Sequence, residues 1–232
     1  MADVPRRDAE SYPTVHNGRV YLTTANGRVY ALATRNGRVQ RETIHAEEPQ
    51  PNGTVRRYGR AGGPVSVFSV AGENRAVAVY QEWDGVVCRD AATGLGCRVD
   101  SRRRTGGGEY HGTAVRTPGS NTVWLHGGSS LSLLAMDLLT CEQVSSVDTG
   151  GDIYSQSSPA FSPDGSRLVT ATWTGVRAHD PAAGGAVRWQ RPAAGWNGTC
   201  EPGPPPVTSP AVYGSVAYVA SIDGVVRLVR LR

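Results

Sequence analysis

The stretch NGRVYLTTANGRVYALATRNGRV, residues 17–39, holds the tetrapeptide Asn-Gly-Arg-Val three times, starting at 17, 26 and 36. Asn-Gly is the strongest short turn signal, because both residues tolerate the positive φ that a tight primed hairpin turn demands. Between the copies lie VYLTTA and VYALATR, short runs of β-branched, aromatic and small residues that suit strands better than helices. The spacing predicts a meander of four short antiparallel strands: YPTVH, RVYLTTA, RVYALAT and RVQRET. A sheet of about 30 residues cannot bury a core alone, so the unit has to recur.

It recurs imperfectly. The second strand and its turn return as NRAVAVYQEWDGVVCR (74–89), SNTVWLHGGSSLSLLAM (120–136), DGSRLVTATWTGVRAH (164–179) and GSVAYVASIDGVVRLV (214–229). The turn after the third strand returns as well, in ALATRNGRVQR, CRDAATGLGCR, AMDLLTCEQVS and AHDPAAGGAVRW. Asp90, Asp137 and Asp180 share one column, Thr93 and Thr140 another, with Gly37, Gly94 and Gly184 just after. An Asp placed ahead of a Thr-Gly step can bond its own turn, so the column reads as structural and not catalytic.

The pattern Ala-x-Asp-x-x-Thr-Gly, preceded by a strand pair of the form Ser-Pro-Ala-Val, Val-Tyr-Val, Asp-Gly, resembles the repeat of the quinoprotein-like (PQQ-type) β-propellers. SSPAFSPDGSRLVTATWTGV (157–176) is similar to a blade of WD-repeat propellers. The resemblance runs from Tyr12 to Arg232 and implies an all-β fold of radially packed four-stranded antiparallel blades. The family closes each repeat with a Trp four residues after the Gly, which docks one blade on the next. Here those positions hold Arg41, Arg98 and Ser145, and Trp189 comes one residue late. The family's quinone-dependent dehydrogenases use an eight-bladed ring, a calcium site and a disulfide of adjacent cysteines. This chain has no adjacent cysteines, and no cofactor is expected.

Repeat landmarks at 31, 88, 135 and 178 are spaced by 57, 47 and 43 residues, near the roughly 40 to 50 of a four-stranded blade. Five blades account for the chain, at about 12–42, 63–100, 110–148, 156–191 and 207–232, in a single domain. The polar stretch 45–63 reads as a loop between the first two. The fifth blade ends after its third strand, so either residues 2–10 supply a closing strand to a five-bladed ring, or these are the last five blades of a larger propeller.

Gly 29 and Pro 15 among 232 residues punctuate many short elements, and no long window shows helical periodicity. All 24 basic residues are Arg, a bias of GC-rich, actinobacterial type. Without Lys, no Walker A loop, Schiff-base lysine or Ser-Lys dyad can be built. The formal net charge of +4 is mild and SRRRTGG (101–107) reads as a solvated loop, so nucleic-acid binding is not expected. No apolar run marks a signal peptide or a membrane span; an extracytoplasmic location would require a longer or processed product. A monomer is expected.

Of four cysteines, Cys88 and Cys97 flank one turn on paired strands, and a disulfide between them is expected. Cys141 and Cys200 are left to pair or stay free. No spacing suits zinc. HGGSS (126–130) resembles an esterase oxyanion loop, yet no G-x-S-x-G elbow accompanies it.

The long segments enter each blade's first strand: 42–63, 99–111, 148–157 and 191–208. They emerge on the same face as the turns between second and third strands, and long loops on a rigid scaffold carry binding. That face gathers Tyr110, His111, Tyr154 and Gln156 with Glu82, Trp83 and Trp173, an aromatic and polar set suited to a protein, peptide or glycan ligand. The expectation is a non-catalytic binding or scaffolding module. Two rivals remain: a carbohydrate-acting enzyme using Glu82, Asp84, Glu109, Asp152 and Asp223, and a sensor domain detached from a longer membrane protein or kinase.

Overall fold

Asn17 and Gly18 both adopt left-handed backbone, with φ of 46° and 72°, and His16 pairs with Arg19 across them. The first tetrapeptide is therefore the primed hairpin that Asn-Gly favours. The second copy lies partly outside the described residues. The third makes a different turn: only Gly37 is left-handed, and its N–H donates to Ala33 O at 2.8 Å, closing a longer loop. The computed structural model describes residues 13–24, 28–44, 47–49, 55–57, 64–82, 85–93, 96–100, 112–127, 132–149, 157–172, 175–192, 209–220 and 224–231.

The first sheet is a meander of β1 (Thr14–His16), β2 (Arg19–Thr23), β3 (Arg28–Ala33) and β4 (Val39–Ile44). The stretch 45–63, expected as a loop, carries a small hairpin, β5 (Glu47–Pro49) with β6 (Val55–Arg57). The second sheet runs β7 (Ser66–Ser69), β8 (Ala76–Glu82), β9 (Gly85–Asp90) and β10 (Gly96–Asp100). The third runs β11 (Val115–Arg116), β12 (Thr122–Gly127), β13 (Ser132–Asp137) and β14 (Gln143–Asp148). In the fourth, β15 (Ala160–Phe161), β16 (Leu168–Thr172) and β17 (Gly175–Asp180) lead through a 3-10 turn at Pro181–Ala183 to β18 (Ala186–Pro192). Among the described residues the fifth has three strands, β19 (Ala211–Tyr213), β20 (Val216–Ala220) and β21 (Val226–Arg230). Every pairing is antiparallel between strands adjacent in sequence.

Side chains alternate across a strand, and here both faces of the inner sheets are apolar. From β8, Val77 and Val79 pack toward the third sheet, against Val123, Leu125, Leu134 and Met136. Ala78 and Tyr80 turn the other way, to Tyr21, Val29 and Ala31 of the first sheet. Trp124, Leu133 and Ala135 leave the third sheet's opposite face to meet Leu168 of the fourth. Val169 and Ala171 then meet Ala217, Val219 and Val229 of the fifth. Four cores thus lie between consecutive sheets, each completed only by its neighbour, as in any sheet covered on both sides. Burying one such Val or Leu contributes about 1.5–3 kcal/mol.

The disulfide differs from the expectation. Cys97 does stand opposite Cys88 in the ladder, but Cys88 is bonded to Cys141 of the next sheet, with Cα atoms 5.5 Å apart. The pairing is set between sheets. Cys88 lies on the face of β9 that looks at the third sheet, in the same buried cluster as Cys141. Cys200 lies outside the described residues.

Candidate functional site

The residues proposed from sequence for the ligand face fall almost entirely outside the described residues: Trp83, Tyr110, His111, Tyr154, Gln156 and Trp173. Glu82 is placed by its backbone at the end of β8; Asp84, Glu109, Asp152 and Asp223 are outside. What the structure does place is their anchors. Glu82 pairs with Gly85 and Thr172 with Gly175, the described residues that flank Trp83–Asp84 and Trp173–Thr174 in the sequence. Gly112, after His111, and Ser157, after Gln156, meet closely: a Cβ on Gly112 would come 2.9 Å from Ser157 O. The entry points of the third and fourth sheets are therefore neighbours.

The polar residues of the repeat columns are occupied by the fold. Asp90 accepts from the Ala92 and Thr93 N–H groups at 2.9 and 2.6 Å and from the Thr93 hydroxyl at 3.0 Å. Asp137 accepts from the Leu139 and Thr140 N–H groups. Asp180 accepts from the Ala182 and Ala183 N–H groups and from Arg188. Burial works to raise the Asp90 pKa, yet the bonds from Thr93 and Ala92 outweigh it and hold the carboxyl below its ordinary value. The Arg188 hydrogen bond does the same at Asp180. These carboxylates are turn caps, as their column implied.

Hydroxyls link one sheet to the next. Thr113 N–H donates to Ser158 Oγ at 2.7 Å, and Ser158 N–H donates to Ser209 Oγ at 2.9 Å. Ala114 N–H donates back to Ser66 Oγ at 2.9 Å. Backbone donors entering the short first strands are satisfied sideways, by the adjacent sheet.

Two histidines are buried between the third and fourth sheets; sequence reasoning met His126 only as the first residue of HGGSS and did not single out His179. His179 shares a 2.9 Å hydrogen bond between Nε2 and Thr170 Oγ1, and its Nδ1 lies 2.9 Å from Gly185 O. The carbonyl can only accept, so Nδ1 carries the proton and Nε2 accepts from Thr170. Burial lowers the pKa of both rings, and His126, which also feels His179, falls to about 4. At neutral pH both are uncharged. Their signal in the sequence was their position within apolar strands, which reads equally as core. Among the described residues no group of three or more His, Cys, Asp or Glu could hold a metal ion, and no helix is long and apolar enough to cross a membrane.

No protein-family model matches the chain, and no curated protein matches it. Among solved structures it is similar to BamB from Moraxella catarrhalis, at 16% identity and a TM-score of 0.64. The match covers 94% of this chain and 60% of BamB, so the chain spans less than two thirds of that protein's length. With the successive meander sheets and the cores between them, this similarity establishes an all-β fold of the β-propeller kind.

Proposed function

We propose that this chain is a β-propeller binding or scaffolding module without chemistry of its own, holding a protein, peptide or glycan on the face reached by the entry segments and the turns after each second strand. One observation carries the reading: the polar residues that recur from blade to blade are spent on turns and blade-to-blade bonds, as with Asp90, Asp137, Asp180 and Ser158. Specific function is then left to the segments that differ between blades, where Trp83, Tyr110, His111, Tyr154, Gln156 and Trp173 stand. A glycan and peptide array run beside chromogenic glycoside hydrolysis tests it. Binding without turnover, lost in Trp83→Ala, His111→Ala or Trp173→Ala with melting unchanged, supports it. Turnover abolished by Glu82→Gln would instead establish the glycosidase rival.

A second reading, that the five sheets are an arc of a larger propeller, is favoured by the fifth sheet. Its face away from the fourth is apolar and open: Tyr213, Val226 and Leu228 are 81%, 57% and 63% exposed. In the four interfaces described above, the same alternation is covered by a neighbour. Coverage of only 60% of BamB points the same way.

A further inference from the structure

At the ends of the sheets opposite the proposed ligand face, the turns joining first and second strands meet in pairs. Between the second and third sheets they are bridged: Ala71 N–H donates to Asn121 Oδ1 at 2.9 Å, and Asn121 Nδ2 returns a bond to Ala71 O. Between the third and fourth they touch, the Pro118 ring lying 3.1 Å from where a Cβ on Gly165 would stand. Between the fourth and fifth they part, leaving a cavity of about 420 Å³ whose walls include Pro163, Asp164, Arg167, Ser215 and Leu231.

Two opposite charges line this cavity without neutralising each other. Asp164 is held by its own turn, accepting from the Ser162 hydroxyl at 2.6 Å and from the Ser166 N–H and hydroxyl at 3.1 and 2.8 Å. Those bonds, the Ser162 hydroxyl first, lower its pKa to about 2, so the carboxylate stays ionised. Arg167 spends Nη1 on Ser166 O at 2.9 Å, while its Nε is shielded from solvent and makes no hydrogen bond. Arg75 pairs with Glu73 and Arg188 with Asp180, while no ion pair joins Arg167 to Asp164 among the described residues. The shielded Nε is closed to a ligand as it is to solvent, so what Arg167 brings to the cavity wall is the positive charge of its guanidinium.

We propose that this cavity binds a small zwitterion, a free amino acid or dipeptide, with its ammonium toward Asp164 and its carboxylate toward Arg167. A simple anion would meet Asp164 and a simple cation would meet Arg167, each repelled by one wall. A neutral polyol would satisfy neither charge with a charge-assisted bond. Pro163 and Leu231 offer apolar surface to an aliphatic side chain, and the volume lies in the range of small-ligand sites. The site is on the other end of the sheets from the proposed ligand face and does not depend on it.

Calorimetric titration of the full chain with leucine and with Leu-Leu tests this, with N-acetyl-leucine, leucinamide and glucose as comparison ligands. The zwitterions should bind saturably. Each blocked analogue, and each of Asp164→Asn and Arg167→Gln, should weaken binding by about 10- to 100-fold, the worth of one hydrogen bond to a charged group. N-acetyl-leucine, a simple anion, should instead bind more tightly to Asp164→Asn, which removes the repelling carboxylate. Ser215→Trp, at an exposed position that touches neither charge, should narrow the cavity and abolish binding even where a charge variant folds poorly. Absence of zwitterion binding at millimolar concentration, equal binding of glucose, or binding that survives Ser215→Trp would overturn the proposal.

Discussion

Cys141 holds left-handed backbone at φ 58°, at the point of its turn where the first sheet has Gly37 and the fourth has Gly185. The three are equivalent by their bonds: each N–H donates at 2.8 Å to the residue that opens the turn, Ala33, Asp137 or Asp180. A side chain is tolerated at 141 because it carries the bond to Cys88. Closing a loop of 53 residues' separation stabilises by about 4 kcal/mol in the chain-entropy account. Cys141→Ser should lose that and keep the backbone strain, whereas Cys141→Gly should be more stable than the Ser variant by about 1 kcal/mol. Denaturant unfolding of the two, with and without reductant, measures both differences, and reductant should leave both variants unchanged. His126 makes a second prediction at this scale. Its folded pKa of about 4 lies below the ordinary 6.5, so from pH 6.5 downward the unfolded chain takes a proton that the folded chain refuses. From His126 alone stability should fall by about 3 kcal/mol between pH 6.5 and 4, and His126→Leu should remove that part of the fall, leaving the part that comes from His179, whose pKa burial also lowers. Asp90, Asp164 and Asp180, whose pKa values are lowered from 3.8, contribute stability that is lost only at lower pH, so urea midpoints between pH 7 and 4.5 isolate the histidine effect.

The turn after the third strand shows how an element absorbs an insertion. In the fourth sheet it runs from Asp180 to Gly185, one residue longer than the Asp137–Cys141 turn, and the 3-10 segment Pro181–Ala183 takes up the extra residue. Trp189, one residue late in sequence, therefore lies opposite Ala178, as Ser145 lies opposite Ala135 and Arg41 opposite Ala31. It packs on the core between the fourth and fifth sheets, the docking role its residue type implied. Gly185 serves the other side of the fourth sheet. A Cβ there would meet Trp124 Cζ3 at 2.8 Å and Val147 Cγ2 at 2.9 Å, at φ 87°. Gly37, at φ 66°, has nothing within 4 Å. Gly37→Ala should cost about 1 kcal/mol through backbone strain alone, while Gly185→Ala should cost about 2–4 kcal/mol because overpacking is added. Thermal unfolding of the pair separates strain from packing.

At the scale of the molecule the open question is what lies beyond β21. Its sequence VRLVR mixes apolar and basic residues at the edge of a sheet of three described strands, and a bare edge of that kind invites pairing. If residues 2–10 close the ring, deleting residues 1–10 should speed amide exchange in β21 and lower the melting temperature. If the sheets are an arc of a larger ring, the deletion should change neither, and Leu228→Glu should reduce self-association while leaving the melting temperature within about 1 °C, as exposed substitutions do. Hydrogen exchange and analytical ultracentrifugation on the same two variants distinguish the closures.

The repeated NGRV, the Asp column and the alternating second strands were enough to read an all-β chain of antiparallel meanders, because turn chemistry and strand alternation are local properties that a few adjacent residues express. The turn-capping roles of Asp90, Asp137 and Asp180 were legible for the same reason. The partner of Cys88 was not: the ladder neighbour Cys97 is visible from hairpin register, but Cys141 reaches Cys88 only through the packing of one sheet on another. Nor were the neutral state of His126 and His179, the linking of Thr113, Ser158 and Ser209, or the cavity between the fourth and fifth sheets, since each needs two sheets to exist. The chain's local code specified the blades; the stacking of their apolar faces, which no single blade can bury alone, decided which residues meet.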